Sequence, residues 1–358
     1  MAIASSGAVS FSDLRTEFVG GSAAISFSSL YRGGATIRAN AGNNSSTNLA
    51  ASVPTSGAIN FTNFYGAAKG FRKTYTSGAT NQDLNTVFGS DWGVNYPKEV
   101  VINAGVTIGA TSTSNEALEV NSGGVGQITI TNNGTIIGAG GAAGSAGGDA
   151  FEASVACTLI NNGTISAGGG GGGTGGTGGN GSTSSTSTVT QVLSGPSYSS
   201  SNHIYIDSEG GSTTATFNGS YYFSSASRVI TISGVAWTYF SNGVYISYYY
   251  RGVSRTGNVT TTTSTSGTAG GAGGVGAGYN QSATAGSTAS SASSPAGTGG
   301  QGGTGGGLGA AGNTGATGSN GNSTNGSAGS AGAAAGVYIR GVSNVTFTNN
   351  GTVNGSTA

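Results

Sequence analysis

Glycine stands at every third position from Gly297 to Gly321, nine times in succession. Glycine has the most backbone freedom to lose on folding, so the interiors of helices and strands disfavour it. A period of three matches neither 3.6 nor 2.0. It does fit a polyproline-II helix, which has three residues per turn and rises about 3.1 Å per residue. Shorter tracts keep the same spacing: Gly138, Gly141, Gly144 and Gly147; then Gly169, Gly172, Gly175, Gly178 and Gly181; then Gly267, Gly270, Gly273 and Gly276. A second glycine often stands beside the first, as in Gly175-Gly176-Thr177-Gly178-Gly179. Two of the three faces of such a rod carry no side chain, and neighbouring rods can pack at backbone contact distance.

A collagen triple helix uses the same period, but it is rich in proline, at about 15–20% or more. Here there are 4 prolines in 358 residues. A flexible glycine- and serine-rich linker has no reason to keep count. The reading that fits is a bundle of glycine-rich polyproline-II rods made by one chain folding back on itself. As one rod, residues 297–332 would run roughly 110 Å, whereas residues 167–181 would span about 45 Å. The long tract is therefore expected to reverse near Gly307–Ala311 and again near Asn320–Asn325.

Composition narrows the function. Eleven basic residues balance eleven acidic ones, and charged residues make up 6% of the chain. Such a chain has no cationic excess to hold phosphates, so no nucleic-acid partner is expected. Low net charge with 35% hydrophobic residues also argues against a disordered chain. No apolar run is long enough to cross a membrane, and the first residues lack the basic and apolar regions of a secretory signal. The lone cysteine, Cys157, lies in an apolar run and reads as a small core residue.

Two shorter repeats organise the remainder. Ser6–Leu14, Ser22–Leu30 and Ser56–Phe64 share one frame: Ala, then Val or Ile, Ser or Asn, Phe, a hydroxyl residue, any residue, then Leu or Phe. Ser10 and Asp13 have the spacing of a helix N-cap and its N3 partner, for a short helix through Phe18. Residues 1–70 are read as an attachment region. Residues 71–137 alternate as strands, for example Gln127–Ile130, and form a β-rich shoulder. The second repeat, Asn-Asn-Gly-Thr between β-branched residues, occurs at Asn132–Thr135, Asn161–Thr164 and Asn349–Thr352. Asn-Gly suits either a type I′ hairpin or the corner of a parallel coil with asparagines stacked in register.

Residues 138–187 and 261–358 then hold the rods with their Asn-Asn-Gly-Thr units, and 188–260 is an inserted β domain. It contains 13 of the 29 aromatic residues. The expected fold class is thus mostly β plus irregular structure: a polyproline-II rod bundle capped by β-structure, with an inserted β-rich domain. In the insertion, Tyr221, Tyr248, Tyr250 and Arg251 are the candidates for surface recognition, because flat amphipathic rings and guanidinium groups dominate binding surfaces. His203, Asp207 and Glu209 have even spacing on a strand but lack the second His or Cys of a zinc site and the paired carboxylates of a glycosidase. One histidine serves the chain, so no catalytic triad is available, and no cofactor, metal site or enzymatic activity is expected.

The tracts Gly168–Gly181, Gly267–Gly278 and Gly297–Gly332, with variable loops between them, resemble the glycine-rich receptor-binding adhesins at the fibre tips of T-even-like tailed bacteriophages. The frame Ser5–Phe18 is similar to repeats in structural proteins of marine tailed phages. The resemblance implies a polyglycine-II bundle whose far loops meet the host surface. On that basis the chain is expected on the virion exterior after synthesis in the host cytoplasm. Residues 1–70 would hold a fibre or other virion protein, and the opposite end would bind a host polysaccharide or outer-membrane protein without chemistry. The alternative is a purely structural virion protein, a fibre spacer or capsid decoration. The aromatic insertion is longer than a simple inter-rod loop in the family it resembles.

Overall fold

The structure, a computed structural model, describes residues 3–20, 23–34, 36–38, 47–197, 203–206, 219–222, 229–232, 235–245 and 248–358, and between 188 and 259 it gives backbone and strand pairing. The chain is mostly strands with a few short helical turns. It divides into two compact units, Met1–Gly181 with Thr265–Ala358, and Ser182–Ser264.

Five coils of parallel strands organise the first unit, and each coil gives one strand to each of three sheets. Coil 1 is Phe71–Tyr75, Ala79–Thr80 and Gln82–Asp83; coil 2 is Lys98–Ile102, Thr107–Gly109 and Leu118–Val120. Coil 3 is Ile128–Asn132, Thr135–Ile137 and Phe151–Ala153. Coil 4 is Cys157–Asn161, Thr164–Ser166 and Val337–Arg340; coil 5 is Val345–Asn349, Thr352–Asn354 and Ser356–Thr357. Alternate residues are buried along Lys98–Ile102, Ile128–Asn132 and Cys157–Asn161, and β-branched and aromatic side chains stack from coil to coil. Val100, Ile130, Leu159 and Phe347 make one row. Ile108, Ile136, Ile165 and Val353 make a second, and Leu118, Phe151 and Ile339 a third. Burying one such side chain contributes about 1.5–3 kcal/mol. A register slip of one residue would turn a whole row outward, so the stacking fixes the register.

The Asn-Asn-Gly-Thr units are corners between the first and second sheets of coils 3, 4 and 5. Neither Asn133–Gly134 nor Asn162–Gly163 has the positive φ that a type I′ turn requires. The parallel-coil alternative is the one realised. Asn132 Nδ2 donates to Asn161 Oδ1 at 2.8 Å, and Asn161 Nδ2 donates to Asn349 Oδ1 at 2.7 Å. A second ladder runs beside it, from Asn350 to Asn162 at 3.0 Å and from Asn162 to Asn133 at 2.9 Å. Glycine follows because the coils touch there: a Cβ on Gly163 would lie 2.0 Å from the Gly134 carbonyl oxygen.

The glycine tracts leave the coil at one place, the corner between the second and third sheets. In coil 3, residues 138–150 depart and return. In coil 4 everything from 167 to 336 lies between Ser166 and Val337. Segments 167–180, 266–277, 282–293, 297–307, 310–321 and 325–336 carry no helix or strand assignment. The chain reverses at Leu308–Gly309 and Asn322–Thr324, within the two stretches where the spacing predicted it.

Segment 167–180 lies among the others, and each neighbour bonds to it every third residue. Gly172, Gly175 and Gly178 donate to the carbonyls of Gly274, Gly271 and Thr268 at 2.8, 2.8 and 2.9 Å. Gly173, Gly176 and Gly179 donate to Asn313, Ala316 and Ser319, each at 2.9 Å. The carbonyls of Gly170, Gly173, Gly176 and Gly179 accept from Gly306, Gly303, Gly300 and Gly297, each at 2.8 Å, and those of Thr174 and Thr177 accept from Ser330 and Ser327 at 2.8 Å. The rising and falling numbers show that 310–321 runs parallel to 167–180 while 266–277, 297–307 and 325–336 run antiparallel. The buried backbone is therefore satisfied without a sheet ladder.

A separate small core in residues 3–67 gathers Ile3, Leu14, Phe18, Leu30, Ile37, Ala50, Val53, Phe64 and Ala67. It joins coil 1 through the strand Thr47–Asn48, antiparallel to Phe71 and Arg72. Arg38 pairs with the buried Asp91 at 2.9 Å, and the Tyr96 hydroxyl donates to the Thr36 carbonyl at 2.8 Å.

Candidate functional site

Two surfaces stand out, one in the N-terminal region and one where the glycine segments end. In the first, the three copies of the short frame fold alike. Ser10, Ser26 and Asn60 are N-caps in extended conformation, each closing a capping box with Asp13, Ser29 or Asn63. The helical turns that follow are Phe11–Leu14, Phe27–Leu30 and Phe61–Phe64, and the first continues as a π-helical turn, Arg15–Val19. The last residue of each turn, Leu14, Leu30 or Phe64, is fully buried. The first residues meet one another at the surface. Ring centroids of Phe11, Phe27 and Phe61 are 4.7, 5.2 and 5.2 Å apart, a nearly equilateral triangle. Phe11 is 42% exposed.

The second surface is the end of the glycine segments away from the coils. Asn180 is its organising residue. Its carbonyl accepts from Ser323 and Thr324 at 3.1 Å, and its side-chain oxygen accepts from the Gly267 amide at 3.1 Å. Asn322 donates to the Pro295 carbonyl at 3.3 Å. The reversals at 294–296 and 322–324 therefore gather beside Asn180, one residue before the strand Gly181–Ser197 begins.

That strand opens the second unit, where it lies beside Tyr248–Thr265 in a four-stranded sheet that also contains Val235–Tyr245 and Val229–Ile232. Threonine and serine hydroxyls bridge the first pair, Thr186 to Thr260 at 3.1 Å and Ser184 to Thr262 at 3.3 Å. The structure distributes the candidate recognition residues over two sheets. Tyr248 pairs with Tyr245 and Arg251 with Ser241, on the strand that also holds Tyr250. Tyr221 pairs with Ile204 in a separate hairpin of His203–Ile206 and Gly219–Tyr222. The side chains of these four residues lie outside the described residues. His203 is on the hairpin's first strand, and Asp207 and Glu209 are outside the described residues.

Among the described residues no three His, Cys, Asp or Glu side chains converge on a metal-sized site. The carboxylates that do approach one another are on the third sheet, where Asp83, Glu119, Glu152 and Arg340 share one row. Burial, then repulsion from Glu152, raises the Glu119 carboxyl above its usual range. Burial with the charges of Glu152 and Glu119 raises Glu116. Arg340 is held by Asp149 instead, and that bond with the opposite charge raises the guanidinium further. Burial pushes the Cys157 thiol up to about 12, which makes it inert at neutral pH. The phenylalanine triangle was implicit in the repeated frame, but its closure into a ring was not.

The geometry defines a first unit of parallel β-coils with glycine-rich segments inserted between its second and third sheets, and the sequence is similar to a class of bacteriophage tail fibre adhesins. The family described as phage tail fibre adhesin Gp38 matches residues 70–245. Among solved structures, a chain of the gp37–gp38 adhesin tip complex of the bacteriophage S16 long tail fibre is similar. It is 15% identical, with a TM-score of 0.36, over 85% of this chain and 88% of that one. No curated protein matches.

Proposed function

We propose that the chain is a non-enzymatic adhesin of a phage tail fibre, bound to a virion fibre protein through residues 1–70 and to a host surface glycan or outer-membrane protein at its other end. The glycine segments of 138–187 and 261–358 are polyproline-II rods packed as one bundle, standing on the β-rich shoulder of 71–137. The bundle presents two things: the reversals at 294–296 and 322–324, and the insertion 188–260, whose Tyr221, Tyr248, Tyr250 and Arg251 contact the receptor. The observation that carries this reading is segment 167–180, bonded at period three to four neighbours and ending beside those reversals. A backbone held on several sides presents its loops preorganised, so less entropy is lost when they bind. The Gp38 match over residues 70–245 supports the same reading.

The test is binding of the purified chain to cells of the phage's host, beside the triple variant Tyr248→Ala, Tyr250→Ala, Arg251→Ala. Binding by the parent and its loss in a folded variant is the expected result. Equal binding by both moves recognition to the rod loops. No binding by the folded parent favours the structural spacer.

A further inference from the structure

We propose that the third sheet of the coils is a pH-sensitive clasp at the root of the glycine segments. A row of like charges loosens it at neutral pH, and protons close it.

Strand register sets the row. Asp83 on Gln82–Asp83 stands opposite Glu119 on Leu118–Val120, and Glu119 stands opposite Glu152 on Phe151–Ala153. Neighbouring strands are about 4.8 Å apart, and like charges directly opposite one another are destabilising. Glu116, just ahead of Leu118–Val120, reaches the same place, where its carboxyl is hydrogen-bonded to that of Glu152. Two carboxyl groups can bond only when one of them holds a proton. Five of the eleven acidic residues, Asp83, Glu116, Glu119, Asp149 and Glu152, are thus on or beside this sheet. Compensation is slight. Arg340 stands opposite Glu152, but its guanidinium is bonded to Asp149. Asp83 is the N-cap of Leu84–Phe88 and accepts from Thr86 at 3.0 Å. That helix packs against Leu118–Val120 and carries no charge, and neither does Ser356–Thr357 at the far edge of the sheet.

Position makes the row a clasp. The chain returns from excursion 138–150 into Phe151–Ala153, and from excursion 167–336 into Val337–Arg340. Both excursions therefore close on the coils through the sheet that gathers the acids. The first sheet differs, because there Arg72 stands opposite Glu99 and bonds it at 2.7 Å.

Protonation and closure are linked. Burial, then the charges of Glu152 and Asp83, raise the Glu119 carboxyl above its ordinary 4.5, and burial with the charges of Glu152 and Glu119 raises Glu116 likewise. Between 4.5 and those raised values the closed sheet keeps protons that an opened sheet releases. The clasp is therefore tightest below 4.5 and weakens as pH rises through the folded values.

The test is hydrogen–deuterium exchange of the full chain, read by mass spectrometry in peptides covering Leu118–Val120, Phe151–Ala153 and Val337–Arg340. At about pH 7, Glu119→Gln and Glu152→Gln should each slow exchange in these peptides by about threefold. At about pH 4 the difference from the parent should shrink, because the parent's own carboxyls are then protonated. Glu99→Gln, which takes the partner from Arg72, should give these peptides no protection. Unchanged or faster exchange in either sheet variant at about pH 7 overturns the clasp. A difference that persists undiminished at about pH 4 overturns it as well. Equal slowing by Glu99→Gln also overturns it, since loss of any negative charge would then suffice.

Discussion

The ammonium of Lys98 is fully buried, and its Nζ donates to the carbonyls of Val94 at 2.7 Å, Tyr96 at 3.1 Å and Val125 at 2.5 Å. The Trp92 ring lies 5.8 Å from it. One side chain therefore satisfies three loop carbonyls at the start of coils 2 and 3. Lys98→Met removes the donor and leaves acceptors buried, and should destabilise the protein by about 2–3 kcal/mol. Burial also lowers the ammonium to about 8 from the ordinary 10.5, although the nearby Asp91 charge opposes this. Between those two values the unfolded chain still holds the proton that the folded chain has released. Stability of the parent relative to Lys98→Met should therefore rise as pH goes from about 8 to about 10.5, and stay flat below pH 8. Thermal unfolding of both proteins across that range checks the sign. A gap that narrows with rising pH sinks the account.

Among the segments, the decisive property is how closely backbones approach. A Cβ on Gly172 would lie 2.0 Å from the Gly303 carbonyl oxygen, whereas a Cβ on Gly307 would meet nothing within 4 Å. Gly172→Ala cannot be relieved by a side-chain rotation, because the obstacle is backbone, and should cost at least about 3 kcal/mol. Gly307→Ala should leave the midpoint unchanged or raise it slightly. Denaturant unfolding of the pair tests the contrast, and equal effects would mean that the segments are not in contact. The period-three glycines and the places where the chain reverses were legible, since they are local and counted. The three Asn-Asn-Gly-Thr units were also visible, but their identity as stacked corners was not, because Asn161 and Asn349 meet only after an excursion of 188 residues. For the same reason no local pattern joins Thr164–Ser166 to Val337–Arg340 in one coil. Lys98 shows the limit at single residues: it reads as an ordinary polar start to a strand, and only the stacking of coils puts it inside.

At the scale of the molecule, the chain passes from the first unit into the second after Gly181 and returns to the first at Thr265. Asn180 bonds Gly267 at 3.1 Å, and the paired hydroxyls of Ser184 with Thr262 show the two connecting strands already side by side. Neighbouring strands lie about 4.8 Å apart, a gap that a two-residue Asn-Gly turn closes. Replacing Ser182–Ser264 by Asn-Gly should leave the first unit folding cooperatively at its own midpoint, since the coil rows and the bonds around segment 167–180 lie in that unit. Loss of a cooperative transition would show that the glycine segments depend on the insertion for order. A folded deletion that no longer binds host cells assigns recognition to the insertion. One that binds as well as the full chain assigns it to the reversals at 294–296 and 322–324, because these remain held by Asn180 and Pro295 when the insertion is gone.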